Sequence, residues 1–330
     1  MKVVIGFSGG VDSAVSTVLL QRAGHEVHGL YLDNAGEDAR RDAEETARVL
    51  GIPLRVQDVK QELEQLVCRP FTDSYLRGET PNPCILCNPG MKFKNLIAEA
   101  DRLGADFVAT GHYARAENGA LYKGRPANDQ SYMLCRLNRE QVRRLTLPLG
   151  GYEKAEVRAL AEEFRLPVAH KPDSMEICFI PDKDYIGWLG RRMELPPAGV
   201  FLFHGKVIVR HEGILRYTVG QSSPGLHEGR KLYISRIDPE KNQIELALWE
   251  ELFQTQVTAR DFNWLIEEPT EPIRATVRVR HTKWENPPCT AWVEDGLVQI
   301  RCDEPVRAPA AGQSAVLYDG ERLLGGGFII

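Results

Sequence analysis

At 330 residues the chain exceeds one average domain, so two or three are expected, and its 43% hydrophobic and 26% charged residues are those of an ordinary folded protein with a real core. No apolar run is long enough to span a bilayer, and the start at Met1 enters a strand pattern without the small-residue cleavage site of a signal peptide, so a membrane partner is excluded and a cytoplasmic location is expected. The net charge of -5 argues against a general nucleic-acid binder but leaves room for a local basic patch.

Along the first half, strand-like and helix-like segments alternate. Residues 3–7 form a short apolar run suited to a buried parallel strand, and a polar Gly-rich turn leads to a helical pattern over 14–22, stopped by Gly24. Strands are predicted over 26–32, 54–59 and 106–110. An amphipathic helix over 38–50, a helix from 61 to about 77 and another ending near Gly104 separate them, with a turn-rich stretch over 80–88. This order implies right-handed βαβ units and a doubly wound parallel α/β sheet. From about Gly199 short β-rich runs take over (206–209, 231–237, 243–248, 273–280, 297–302 and 314–318), divided by Gly, Pro and Asp-Gly turns. The expected division is 1–198 for the α/β domain, 199–260 for a small central β-rich domain and 261–330 for a last β module.

Ser8-Gly9-Gly10-Val11-Asp12-Ser13 lies between the first strand and the first helix. Its glycines let the backbone turn tightly and aim N–H groups at an anion, where the helix dipole assists; Ser8 and Ser13 add hydroxyl donors, and Asp12 is suited to a magnesium ion on phosphates. The loop lacks the GK[ST] ending of a Walker motif, so γ-phosphate transfer is not implied. The competing reading is a Ser/Gly turn in which Asp12 caps the helix. SGGxDS after a first strand resembles the pyrophosphate-loop ATPases, which cleave ATP between the α and β phosphates and leave a substrate oxygen as an AMP ester.

Seven cysteines in a chain of this kind do not suggest a disulfide framework. Cys84 and Cys87 form a CxxC on a Pro-stiffened loop, and Cys178 stands alone within 173–180. Two readings stay open. Cys87 and Cys178 form a sulfur relay through a persulfide, or Cys84, Cys87 and Cys178 hold an iron–sulfur cluster of the four-iron four-sulfur type with one open iron. A structural zinc site wants a fourth ligand that the sequence does not offer. Cys68, Cys135, Cys289 and Cys302 lie in apolar or strand patterns and are expected in the core.

Together the motifs resemble the tRNA-specific 2-thiouridylase family: Gly6 to Ser13, Thr80 to Asn88 with Met91-Lys92-Phe93-Lys94, Ala109 to Arg115, Asp129 to Tyr132, Asp173 to Ile180, Tyr217 to Gln221 and Leu324 to Gly327. The resemblance runs over nearly the whole chain in the family order. It implies an adenine nucleotide alpha hydrolase-like fold followed by small β-rich modules, the last a β-barrel that contacts RNA. It implies a sulfurtransferase that adenylates the C2 oxygen of a tRNA uridine, the wobble uridine, and replaces it with sulfur, giving 2-thiouridine, AMP and pyrophosphate. Cofactors would be ATP and Mg2+; partners would be tRNA and a sulfur donor, either a persulfide carrier fed by a cysteine desulfurase or sulfide. Carried onto this chain, it implies that Gly6, Phe7, Ser8, Gly9, Gly10, Val11, Asp12, Ser13, Leu32 and Gly111 contact ATP. Cys87 would be the nucleophile and Cys178 the persulfide-bearing partner, while Asn82, Pro83 and Cys84 face the target base. His112, Asn128, Asp129 and Gln130 would lie near the tRNA or the flipped base, with Arg280, His281 and Gln313 as further tRNA contacts. In isolation His112 reads as a packed histidine, and Asn128 or Asp129 as a helix cap.

Arg274, Thr276, Arg278 and Arg280 share one face of a predicted strand while Ala275, Val277 and Val279 point inward, and His281 and Lys283 extend the charge. The strip suits a phosphate backbone or, alternatively, a solvated barrel face. The segments 221–229 and 34–42 depart from the family pattern, which leaves a paralogue acting on another RNA base or small molecule as an alternative. A pyrophosphate-loop amidating ligase, with no need of thiols, and a non-catalytic RNA-binding or iron–sulfur module are the other classes.

Overall fold

The computed structural model describes every residue except 35–36, 173–176, 181, 228 and 282–285. The first half of the motif at 173–180, part of the shortened segment at 34–42, one residue of the 221–229 departure and Lys283 therefore lie outside the described residues.

The N-terminal unit alternates as the apolar runs require. It begins with β1 (Lys2–Gly6), α1 (Val11–Arg22), β2 (Glu26–Asp33), α2 (Glu37–Leu50) and β3 (Leu54–Asp58). Helical stretches over 60–76 and 83–103 then lead to β4 (Phe107–Ala109), a hairpin of β5 (Ala114–Glu117) and β6 (Ala120–Lys123), the short β7 (Leu145–Thr146) and a helix at Lys154–Glu163. The sheet order is β3-β2-β1-β4-β7, all parallel. Val3, Val4 and Ile5 are fully buried, as expected for a central strand covered on both faces. The winding reverses between β1 and β4, so a crevice opens there at the carboxyl ends of the strands. The stretch expected as turn up to residue 88 is already helical from Pro83. Proline is pre-shaped for the first helical position, and the Asn82 side chain accepts from the Cys84 amide at 3.2 Å, supplying the cap.

The central module holds β8 (Gly199–Phe203), β9 (Lys206–His211), β10 (Ser222–His227), β11 (Arg230–Asp238) and β12 (Gln243–Ala247) in the order β10-β11-β12-β8-β9. Its inner face, with Phe201, Leu232, Ile234 and Ile244, packs against Val67, Phe71 and Trp188 of the first unit.

The last module holds β13 (Phe253–Trp264), β14 (Ile273–Arg278), β15 (Pro288–Glu294), β16 (Leu297–Arg307), β17 (Ser314–Asp319) and β18 (Arg322–Ile329). The order β13-β16-β15-β14-β17-β18 closes through a β13–β18 pairing into a six-stranded antiparallel barrel. A boundary at 260 falls inside β13; the barrel strand starts at Phe253, and its alternating polar residues hide it from a search for apolar runs. Closure needs the glycines of β18. A side chain on Gly325 would run into the Asn263 carbonyl, and one on Gly327 would come within 2.7 Å of the Arg260 carbonyl.

The barrel is not a separate bead. β6 adds to β18, with Tyr122 opposite Arg322. Leu121, Tyr132, Leu134 and Cys135 share one core with Val316, Tyr318 and Leu323.

Candidate active site

The loop after β1 turns through Gly9 at φ 68°, where a Cβ would stand 2.6 Å from the Ala43 Cα of α2. Ser8 and Ser13 hydroxyls lie 3.2 Å apart, and Ser13 also donates to the Gly10 carbonyl at 3.0 Å. No side chain caps α1 at Gly10, so its first N–H groups face the crevice mouth as an anion cradle. Gly111, just past β4, comes so close that an added Cβ would sit 2.9 Å from the Asp12 Cβ. The β1 and β4 loops thus form the two lips of the crevice, with Leu32 near the end of the neighbouring strand β2.

Asp12 is neither a helix cap nor an open metal ligand. Its two oxygens accept from the Lys154 ammonium at 2.7 and 2.8 Å, and one also accepts from the Tyr113 hydroxyl at 2.7 Å. Lys154 opens the helix Lys154–Glu163, and its backbone amide donates to Asn128 at 3.1 Å. Nothing local marks Lys154 as its partner, because 142 residues separate it from Asp12.

The thiols lie at the same mouth. Cys84 and Cys87 occupy the first turns of the 83–103 helix, Cys84 exposed and Cys87 half-buried. Asn34, which follows β2, donates to the Cys178 sulfur at 3.7 Å and so ties the distant cysteine to the edge of the crevice. Burial pushes the Cys87 thiol up to about 11; the nearby Lys92 charge pulls it down, and the Cys178 and Cys84 thiols push it up. Cys178 is also raised, first by crowding of its sulfur and then by Cys84, although the residue as a whole is exposed. The three thiols therefore feel one another. Among the described residues no group of three or more His, Cys, Asp or Glu is placed to hold a metal ion. Cys68, Cys135, Cys289 and Cys302 are buried in the core.

His112 accepts or donates at Nδ1 with the Thr110 hydroxyl at 2.8 Å and stacks on Phe93. Burial and then the Lys92 charge hold its pKa well below the usual histidine range, so the ring is neutral at pH 7.

Several residues expected at the RNA are instead held within the chain. Gln130 bonds both backbone groups of Tyr113. Asp129 accepts from the amides of Gly124 and Ser131, from the Ser131 hydroxyl and, at 2.7 Å, from Arg278. Arg274 pairs with Asp303, and Arg280 donates to the carbonyls of Ala308 and Val219. The His281 ring lies 3.0 Å from the Asp129 carbonyl, and Gln313 donates to the Thr80 carbonyl at 2.7 Å. The strip keeps the predicted alternation, with Ala275, Val277 and Val279 inside, but Arg278 and Arg280 are committed to a seam between modules, while Arg274 stays exposed on the barrel beside Asp303. A period-two pattern reveals which face a residue takes, not what lies opposite it.

A phosphate-type loop at a switch-point crevice, with thiols at its mouth and a closed barrel behind, defines a nucleotide-type α/β domain equipped for cysteine chemistry. A family model described as the tRNA methyl transferase HUP domain matches residues 1–182, and one described as the Aminomethyltransferase beta-barrel domain matches 254–329. The tRNA-specific 2-thiouridylase MnmA of Syntrophotalea carbinolica is 42% identical, covering 99% of this chain and 98% of its own. That of Geobacter metallireducens is 41% identical, covering 99% and 96%. The chain belongs to the tRNA-specific 2-thiouridylase family. Among solved structures, a 4-thiouridine synthetase–RNA complex with bound ATP aligns at 20% identity and TM-score 0.36, over 58% of this chain and 50% of its own. Among the described residues no helix is long and apolar enough to cross a membrane.

Proposed function

We propose that the chain is a tRNA-uridine 2-sulfurtransferase that activates the C2 oxygen with ATP and replaces it with sulfur through the Cys87–Cys178 pair. The observation that carries this is the Asn34–Cys178 contact at 3.7 Å, which fastens the distant thiol to the rim of the nucleotide-type crevice. Family membership supports tRNA as the substrate. An amidating ligase would leave the thiols unexplained.

The uridine O2 attacks the α-phosphorus, the bond to the β-phosphate breaks, pyrophosphate leaves, and N3 gives up its proton. The loop N–H groups of α1 and the Ser8 and Ser13 hydroxyls offer preorganised donors to the phosphates. The outer sulfur of a persulfide on Cys178, loaded by a persulfide donor, attacks C2, and AMP departs with the C2–O electron pair. The Cys87 thiolate then attacks the Cys178 Sγ, the sulfur stays on C2 as a thione, and N3 regains a proton. An external dithiol reduces the Cys87–Cys178 disulfide. The target base leaves its stack to enter the pocket. Gly6 to Ser13, Leu32 and Gly111 line the nucleotide side in this reading, and Asn82, Pro83, Cys84 and His112 the base side. The 1–182 unit carries the chemistry in this reading.

The relay is preferred to a four-iron four-sulfur cluster because Cys84, Cys87 and Cys178 are not gathered as three ligands among the described residues. Asp12, already holding Lys154 and Tyr113, does not fit an open magnesium ligand, and no step is routed through either metal.

The test incubates the protein with Mg-ATP, unmodified tRNA and a persulfide donor, then measures AMP and digests the tRNA for nucleoside mass spectrometry. 2-Thiouridine and AMP in equal amounts are expected. Cys87→Ser and Cys178→Ser should abolish the thionucleoside, and Asp12→Ala the AMP. Full turnover in Cys87→Ser would overturn the assignment.

A further inference from the structure

The Met91-Lys92-Phe93-Lys94 run contains two lysines with different surroundings. Lys94 is exposed and pairs with Glu62 at 3.1 Å. Lys92 is half-buried and has no hydrogen-bond or ion-pair partner among the described residues. A partly desolvated ammonium without a carboxylate is costly unless an anion arrives to meet it.

Its position follows from a backbone irregularity. Residues Asn88–Lys92 form a π-helical turn, closed by the Phe93 amide on the Asn88 carbonyl. In a regular α-helix a residue five places on is rotated by about 140° around the axis, to the far flank. Widening the turn brings position 92 back towards the face that carries Cys87, and π turns of this kind are frequent at functional sites. The Lys92 charge consequently acts on three groups of the site at once: Cys87, Cys178 and His112. Of the other charged or titratable groups, Cys178, Cys84 and Glu62 act on Cys87, which itself acts on the buried Cys68, and Glu62 is already held by Lys94 and Asn95.

We infer that Lys92 is the positioning cation of the sulfur-transfer step, held by the π turn to stabilise anionic sulfur on Cys87 and on the persulfide of Cys178. The inference rests on the sulfur-transfer reading above and adds a residue to it. In the relay, the Cys178 persulfide carries negative charge before attack on C2, and Cys87 must become a thiolate to release the sulfur. Both charges appear in a pocket where burial opposes them, and Lys92 is the neighbouring cation that favours both. Adenylation of the base with loss of pyrophosphate, which takes place at the phosphate loop, does not need it.

The experiment compares wild type with Lys92→Met and Lys92→Arg. The first readout needs no tRNA: the rate of Cys87 alkylation by iodoacetamide against pH, followed by peptide mass spectrometry. Lys92→Met should displace the profile to higher pH and Lys92→Arg should restore most of it. The second is single-turnover formation of 2-thiouridine from protein preloaded with persulfide, alongside pyrophosphate release. Lys92→Met should slow sulfur transfer on the order of 100-fold while pyrophosphate release on tRNA is retained, with an unchanged melting temperature excluding a folding defect. An unchanged alkylation profile, or equal loss in Lys92→Met and Lys92→Arg, would overturn the role of Lys92. A wild-type protein that forms no 2-thiouridine while its alkylation profile still responds to Lys92 would instead overturn the sulfur-transfer reading and leave the electrostatic pairing intact.

Discussion

Replacing Arg278 by methionine separates a seam residue from an RNA contact. The Arg278 side chain is 13% exposed and its partner Asp129 is 4% exposed. Methionine keeps the length of the side chain but strands the carboxylate. Asp129 retains the Gly124 and Ser131 donors, so the loss falls at the lower end for a broken buried pair, about 3 kcal/mol. With an unfolding entropy of about 2.1 cal/mol/K per residue, the 330-residue chain has about 0.7 kcal/mol/K, and its Tm should fall by about 4 °C. Arg274→Met is the control. Its pair with Asp303 is 61% and 46% exposed, so the change should stay below about 1 kcal/mol. Calorimetry reads both, and Arg278→Met combined with Asp129→Asn should recover part of the loss through coupling. If Arg278→Met leaves Tm unchanged but weakens tRNA binding and lowers its salt slope by about 1, the arginine faces phosphate and the seam argument fails.

Gly111→Ala pushes a methyl against Asp12, at 2.9 Å from its Cβ and 3.0 Å from its backbone. ATP affinity measured by titration calorimetry should drop at least several-fold, with about 1–3 kcal/mol of stability lost. Cys87, pushed up to about 11, should alkylate about tenfold faster for each pH unit up to that value; a plateau at neutral pH would contradict the burial argument. Cys68 and Cys135, raised to about 12, favour the folded state while protonated. Their contribution is fully present below the ordinary thiol value of 9.0 and is lost as pH rises towards 12, so the chemical-denaturation midpoint should decline across that window. Gln313→Ala removes the bond to the Thr80 carbonyl; hydrogen exchange at 79–82 should quicken and thiolation should fall a few-fold while ATP affinity is unaffected.

The α/β half was legible because its strands are apolar runs buried on both faces and its helices end at glycines such as Gly24 and Gly104. The barrel was only half legible. β13 and β18 carry polar or glycine-rich sequences whose burial is decided by their partners, so no local signal marks them. Of the site, the phosphate loop and Cys87 declared themselves through fixed spacing. Lys154, Tyr113 and Asn34 did not, because each meets its partner only across the folded crevice. The arginine strip was legible as to face but not as to partner: Arg278 meets Asp129 from the first unit, while Arg274 stays exposed beside Asp303. Asn82 shows the opposite case, a residue with a local capping role beside its motif context.

The shared core also sets a timetable for synthesis. Tyr132 waits for Ser314, 182 residues further along, to take up its hydroxyl and cover its ring. At about 5–20 residues per second, that interval lasts about 10–40 s. Throughout it, the turn that braces Tyr113 and, through it, Asp12 lacks its backing. Translation of the last strands is the event that completes this brace.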